Sequence, residues 1–123
     1  MKVHFDGGCR PNPGRVEIAV VVAGICYYES DLGIGTNNDA EWLAAIHVLQ
    51  VASDMSLTDI QLFGDSALVV DQANGARCRT PESLRHRETF DGLRAKFARV
   101  RVRRISRTQN LASIVLSKRH SGR

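Results

Sequence analysis

Three acidic residues in this 123-residue chain stand where solubility alone does not explain a charge. Asp6 ends the alternating run Val3-His4-Phe5, just before Gly7-Gly8, and Asp65 follows Phe63-Gly64 at the end of a second apolar run. Each also has an ordinary reading: Asp6 as a turn-former ahead of two glycines, Asp65 as the N-cap of a helix opening at Ser66. Glu41 is different. On a helix its same-face neighbours are Ala44, Ala45, Val48 and Ala52, so the carboxylate lies along a stripe of small residues suited to close contact with a sheet. A carboxylate there is costly unless something cationic receives it, although its place in a first helical turn also suits the helix dipole. Brought together, the three form a hard oxygen donor set of the kind that holds Mg2+ or Mn2+. Beside a cationic surface, such a set implies phosphate chemistry.

The cationic surface is visible in the charge distribution. Residues 1–91 hold all 13 acidic residues and only 7 of the 17 basic ones, a net of −6, whereas residues 92–123 carry +10. A block of this kind suits a polyanion, since lysine and arginine gain affinity by displacing the counterions condensed on phosphates. A solvated face or tail is the alternative. In Arg99-Val100-Arg101-Val102-Arg103-Arg104-Ile105 the arginines alternate with apolar residues, the period of a half-buried strand rather than of a disordered tail.

Composition narrows the class. With 43% apolar and 24% charged residues the chain reads as one globular domain. Its longest nearly apolar stretch, Ile18 to Tyr28, is broken by Gly24 and falls short of the ~20 residues that span a bilayer. The N-terminus turns polar and glycine-rich at once, unlike a signal peptide, so a cytoplasmic location is expected. Cys9, Cys26 and Cys78 are odd in number and widely spaced, which supports neither a disulfide framework nor a zinc site. Cys26, in an apolar run, is expected to be reduced and buried.

The elements that must position these residues follow from periodicity and punctuation. Residues 2–8 read as a strand. Arg10-Pro11-Asn12-Pro13-Gly14 is a loop. Val16 to Ala23 and Ile25 to Leu32 form a hairpin turning at Ala23-Gly24. Thr36-Asn37-Asn38-Asp39 caps a helix over Ala40 to Ala52. A strand at Thr58 to Phe63, a short helix at Ser66 to Ala73, a helix opened by Thr80-Pro81-Glu82 and running to about Ala98, a strand at Val100 to Ile105 and a helix at Leu111 to Lys118 complete the order βββαβααβα. This predicts an α/β fold with a five-stranded mixed sheet, an antiparallel hairpin on one side and parallel pairing where helices cross over.

On these residues the chain resembles the type 1 ribonuclease H family over nearly its whole length. Phe5-Asp6-Gly7-Gly8-Cys9-Arg10-Pro11-Asn12-Pro13-Gly14 is similar to the family's first-strand signature, Thr36-Asn37-Asn38-Asp39-Ala40-Glu41 to the run opening its first helix, and Phe63-Gly64-Asp65-Ser66 to its third signature. Three such strings in order are far more specific than any one. The resemblance implies an RNase H-like fold, with residues 1–120 as a single catalytic domain and 121–123 as a short tail. No separate hybrid-binding domain is expected at this length, and the short central stretch argues against the inserted basic handle of some members, for which the cationic C-terminal third is expected to substitute.

The implied activity is endonucleolytic hydrolysis of the RNA strand of RNA/DNA hybrids by two divalent ions, Mg2+ or Mn2+, leaving 5′-phosphate and 3′-hydroxyl ends. By the same resemblance Asp6, Glu41 and Asp65 are the catalytic metal ligands. Cys9, Asn12, Thr36, Asn37 and Asn38 fall at substrate-contacting positions, and Arg104 and Arg107 are candidates for phosphate contact. A monomer with no obligate protein partner and no membrane association is expected. The chain departs from the family pattern at Ala67, where some members carry glutamine, and in having no histidine in the loop before the last helix.

The largest departure is at the fourth ligand. Arg107-Thr108-Gln109-Asn110 reproduces the run before the family's last aspartate, but no acidic residue follows. Either Asn110 takes the carboxylate's place, or the position falls on Ser113 or Ile114 and three ligands remain, with Asn110 capping the helix. A non-catalytic hybrid-binding module and another nuclease or recombinase of the same superfamily are the rival readings.

Overall fold

A computed structural model describes residues 1–121, apart from the side chain of Ser121. Its elements are β1 (Lys2–Cys9), β2 (Gly14–Val22), β3 (Ile25–Glu29), β4 (Ile34–Gly35), α1 (Asn37–Asp54), β5 (Asp59–Gly64), α2 (Ala67–Ala73), α3 (Pro81–Arg94), β6 (Arg99–Arg104) and α4 (Leu111–Ser121), with a single 3-10 turn at Arg107–Gln109. The main sheet runs β3-β2-β1-β5-β6. β1, β2 and β3 are antiparallel neighbours, and β5 pairs in parallel with both β1 and β6. This is the mixed sheet flanked by helices that the element order predicts.

The local reasons are visible in the chain. Ala23 and Gly24 both adopt positive φ, 52° and 77°, as a two-residue hairpin turn requires to match strand twist. Thr36 caps α1, its Oγ1 accepting from the Asp39 amide at 3.1 Å while Asp39 Oδ2 accepts from the Thr36 amide at 3.0 Å. This reciprocal capping box starts the helix at Asn37, three residues before the expected Ala40. Thr36→Ala is expected to cost about 1 kcal/mol, measurable as a lower urea midpoint at unchanged slope.

Every residue of β2 from Val16 to Val22 is buried, because the strand is covered on both faces. Val16, Ile18, Val20 and Val22 pack with α1 and the main core, whereas Ala19 and Val21 pack with Ala112 and Leu116 of α4. Trp42 is fully buried at the centre of the main core. Its Nε1 donates to Gln72 Oε1 at 3.2 Å, and Phe90 meets its ring edge-on.

Several expectations need correction. β4, a two-residue strand paired with β2 at Gly14 and Gly35, is too short to leave a periodic trace. β3 ends at Glu29 rather than Leu32, since positive φ at Asp31 and Gly33 turns the chain back toward β2. α3 ends at Arg94 rather than about Ala98; the Arg94 guanidinium donates to the carbonyls of Ala73 and Val100 at 3.0 and 2.8 Å, tying its end to α2 and β6. α4 continues through Ser121, the first residue of the expected tail, and residues 122–123 lie outside the described residues. Cys26 is exposed, because β3 is an outer strand and only one of its neighbours is a strand.

Candidate active site

Parallel pairing places the C-terminal ends of β1 and β5 side by side. In the register His4 faces Phe63, so Asp6 and Asp65, each two residues further on, leave the sheet at the same level. Glu41 arrives from the other layer. A Cβ on Gly7 would lie 2.1 Å from the Ala40 carbonyl oxygen, so only glycine lets the first turn of α1 settle this closely onto β1. The Gly7 amide then donates to Glu41 Oε1 at 3.0 Å. Carboxylate oxygens of Asp6, Glu41 and Asp65 lie within 4.8 Å of one another. Gly64 has a similar role, since a Cβ there would lie 2.4 Å from the Phe5 ring, fixing the strand that presents Asp65.

The electrostatics of this cluster are unfavourable to three bare charges. Burial first, and then the Asp6 and Asp65 charges, push Glu41 up to about 10. Burial and the neighbouring Asp65 charge likewise raise Asp6 above the ordinary carboxylate range, against the opposing pull of the Ser113 hydroxyl and the Arg107 guanidinium. Buried like charges at this separation suppress one another's ionisation unless a cation intervenes. The donor set, three carboxylates converging from separate elements, fits a hard divalent cation in number and type.

Asn110 reaches the cluster, but as a hydrogen-bond donor. It is fully buried. Its Nδ2 donates to the Phe5 carbonyl at 3.0 Å and to Asp65 Oδ2 at 3.3 Å, and its Oδ1 accepts from the Ala112 amide at 3.1 Å. Turning the amide over would set its oxygen against two acceptors and its NH2 against an N–H, so the network fixes the orientation. In this arrangement Asn110 caps α4 and holds Asp65, and the group it turns to the carboxylate cluster is its NH2. Ser113, one turn on and also buried, donates its hydroxyl to the same Asp65 oxygen. Ile114 is exposed.

The loop residues form a second network beside the cluster. Asn37 Oδ1 accepts from the Cys9 amide at 3.1 Å, and Asn12 Oδ1 accepts from the Asn37 amide at 3.1 Å. Cys9 is buried, its Sγ 3.4 Å from Asn37 Oδ1, while Asn12, Thr36 and Asn37 are exposed. Asn38 points elsewhere, its Nδ2 donating to Ser83 Oγ at 3.2 Å between α1 and α3. Arg104 and Arg107 line a groove next to Asp65, and Arg107 also borders a cleft of about 280 Å³ that contains Asp6, Glu41, Cys9 and Asn37.

That cleft contains two residues the sequence reading passed over. Glu17, 9% exposed, accepts from the Tyr28 hydroxyl at 3.3 Å and shares a hydrogen bond with His120 Nε2 from the end of α4. The only trace of Glu17 in the sequence is a charge interrupting the otherwise apolar Val16 to Val22. His120 leaves none, because its proximity depends on the path of α4.

Comparison with known proteins agrees with this architecture. A family model described as Reverse transcriptase-like matches residues 4–120. Ribonuclease HI of Halobacterium salinarum is 39% identical over 89 residues, which cover 68% of this chain and 45% of that protein. The bifunctional protein Rv2228c of Mycobacterium tuberculosis is 29% identical over 88% of this chain and 32% of its own length, so the chain spans less than half the length of these curated relatives. The crystal structure of RNase H1 from H. salinarum superposes with a TM-score of 0.86 at 28% identity, covering 99% of this chain and 98% of that one. LC11-RNase H1 in complex with an RNA/DNA hybrid superposes with a TM-score of 0.80 at 26% identity, covering 89% and 88%. Sheet order, helix placement and these likenesses agree: the chain belongs to the reverse transcriptase-like family and has the RNase H1 fold.

Proposed function

We propose that the chain is a divalent-metal-dependent endoribonuclease that hydrolyses the RNA strand of RNA/DNA hybrids, leaving 5′-phosphate and 3′-hydroxyl ends. The observation that carries this reading is the convergence of Asp6, Glu41 and Asp65 within 4.8 Å, in a fold shared with an RNase H1 solved on a hybrid. These carboxylates would hold two Mg2+ or Mn2+ ions, which when bound supply Lewis-acid activation of water and stabilisation of the leaving oxygen.

The rest of the work falls to the chain. The Gly7 amide fixes Glu41, while Asn110 and Ser113 fix Asp65. The linked Asn12, Asn37 and Cys9 set the shape of the cleft floor beside the start of α1, where amides and asparagine side chains suit phosphates and 2′-hydroxyls. Arg104 and Arg107 border the groove by Asp65 and provide charge for the phosphate backbone. Arg107→Ala is expected to weaken hybrid binding in EDTA and to lower the slope of log K against log salt by about 1, read by anisotropy between 50 and 200 mM salt. No described helix is long and apolar enough to cross a membrane, and we place the protein in the cytoplasm as a monomer.

A specific observation favours a second reading, a hybrid-binding module of weak or no activity: donors rather than a fourth carboxylate face Asp65. One experiment separates the two. Wild type and Asp6→Asn are incubated with RNA/DNA hybrid, duplex RNA and duplex DNA in Mg2+, Mn2+ or EDTA. Metal-dependent cutting of the hybrid's RNA strand that disappears in Asp6→Asn is the expected result. Binding without cleavage in either metal would establish the module instead.

A further inference from the structure

The sheet has two faces, and α4 covers only part of one of them. It packs on β1 and β2, through Ala112 and Leu116 against Ala19 and Val21. The same face continues across β1, β5 and β6, whose opposite side carries the buried Val3, Phe5, Ile60, Leu62, Val100 and Val102. Strand register arranges the uncovered part in rows: His4 beside Phe63 beside Arg103, and Lys2 beside Gln61 beside Arg101.

The first row is aromatic, with the His4 and Phe63 rings stacked at 5.5 Å between centroids. Cations surround it. Lys2 Nζ lies 5.9 Å from the centre of the Phe63 ring, and Arg99 and Arg103 are exposed. Arg101 meets Asp59 at 3.9 Å, yet its Nε is buried with no acceptor among the described residues. A buried donor without an acceptor is rare in a finished interior.

This surface adjoins the candidate active site. His4 and Phe63 precede Asp6 and Asp65 by two residues on the same face, a step of about 7 Å along a strand. Arg104, the next residue after Arg103 in β6, donates its Nε to the Asp65 carbonyl at 3.4 Å. Aromatic rings on an open sheet face, flanked by arginine and lysine, suit unpaired bases, which stack on the rings while their phosphates meet the cations. A duplex offers no free base faces to such a surface, and an acidic protein would have no use for the rings.

We propose that the uncovered β1–β5–β6 face binds a single-stranded nucleic-acid segment running on from the cleft, with about two or three bases stacked over His4 and Phe63 and phosphates held by Lys2, Arg101 and Arg103. This goes beyond the hydrolysis reading and is tested apart from it.

The test uses fluorescence anisotropy in EDTA with a labelled ten-nucleotide oligo-dT, the same length of oligo-U, a blunt hybrid, and a hybrid with a single-stranded extension. Phe63→Leu keeps the packing and removes the stacking face; Phe63→Trp restores that face and adds a fluorophore; Arg103→Glu reverses one charge. Expected are roughly tenfold weaker oligonucleotide binding in Phe63→Leu, retention and tryptophan quenching in Phe63→Trp, and a loss in Arg103→Glu of the preference for the extended over the blunt hybrid. The dT and U arms show whether DNA or RNA is preferred. Equal oligonucleotide affinity in wild type, Phe63→Leu and Arg103→Glu would overturn the proposal, as would binding of a base-free polyphosphate as tight as that of oligo-dT. A wild-type dimer that Arg103→Glu dissociates would overturn it too, giving the face to a second copy. Oligonucleotide binding that persists in a protein unable to cut the blunt hybrid would refute the hydrolase reading and leave this one standing.

Discussion

Glu41→Gln is expected to abolish cleavage while making the metal-free protein more stable at neutral pH. The two effects share one cause. Burial, followed by the Asp6 and Asp65 charges, holds Glu41 at about 10, whereas in the unfolded chain it ionises near 4.5. A group whose folded pKa is raised contributes its stability below the unfolded value and loses it as pH climbs through the folded one. In EDTA the contribution of Glu41 is therefore complete below about pH 4.5 and declines toward pH 10. At pH 7 the accumulated loss approaches about 3 kcal/mol.

Glutamine has nothing to ionise and still offers an oxygen to the Gly7 amide, so the variant escapes this loss. It also removes a negative ligand. If that ligand supplies about 4 kcal/mol of transition-state stabilisation, the rate falls about 10³-fold. Urea unfolding of both proteins from pH 5 to 9, with EDTA and then with Mg2+, provides the check. Wild type should lose stability with rising pH in EDTA and regain it with Mg2+, and both effects should be smaller in Glu41→Gln, where only the raised Asp6 remains. Parallel curves in EDTA would show that Glu41 is not the strained carboxylate.

The sequence discloses residues placed by short-range rules and hides those placed by the path of the chain. Asp6 and Asp65 were legible because each ends a strand beside a glycine, and parallel neighbours bring such ends together. Glu41 stood out as a charge on a stripe of alanines, and the hairpin was legible in Ala23-Gly24. Glu17 was harder to see, since its burial depends on α4 folding back over β2 and bringing His120 with it. Cys26 misled because an apolar run does not reveal whether its strand is central or outer. The uncovered face likewise required the sheet order: alternating arginines in β6 point to a half-buried strand, but only the register sets Arg103 beside Phe63 and His4. For Asn110, type and position are legible in the sequence while orientation is not. Which end of an amide faces the cluster is decided by Phe5, Asp65 and Ala112, each contributed by a different part of the chain or a different turn.

Asn110→Asp tests that orientation most severely, because aspartate is nearly isosteric and changes only the charge and the donor. The cap on α4 should survive, since aspartate accepts from the Ala112 amide as well as asparagine does and suits the helix dipole better. The other side of the residue has no such compensation. An oxygen replaces Nδ2 at 3.0 Å from the Phe5 carbonyl and 3.3 Å from Asp65 Oδ2, placing a fourth carboxylate, and with it a further negative charge, in a fully buried position. An uncompensated buried charge costs about 3–5 kcal/mol, so in EDTA the melting midpoint should fall by on the order of 10 °C. Divalent cations should reverse the deficit, because binding that is selective for the folded state stabilises it in proportion to the logarithm of occupancy, and a fourth carboxylate adds charge to the donor set. The Mn2+ or Mg2+ concentration giving half-maximal stabilisation should drop below that of wild type. Asn110→Ala, which loses the cap and the donor without adding charge, should be destabilised equally with and without metal. An Asn110→Asp protein as stable as wild type in EDTA would mean that Nδ2 does not face Asp65, and would restore the amide oxygen as a candidate ligand.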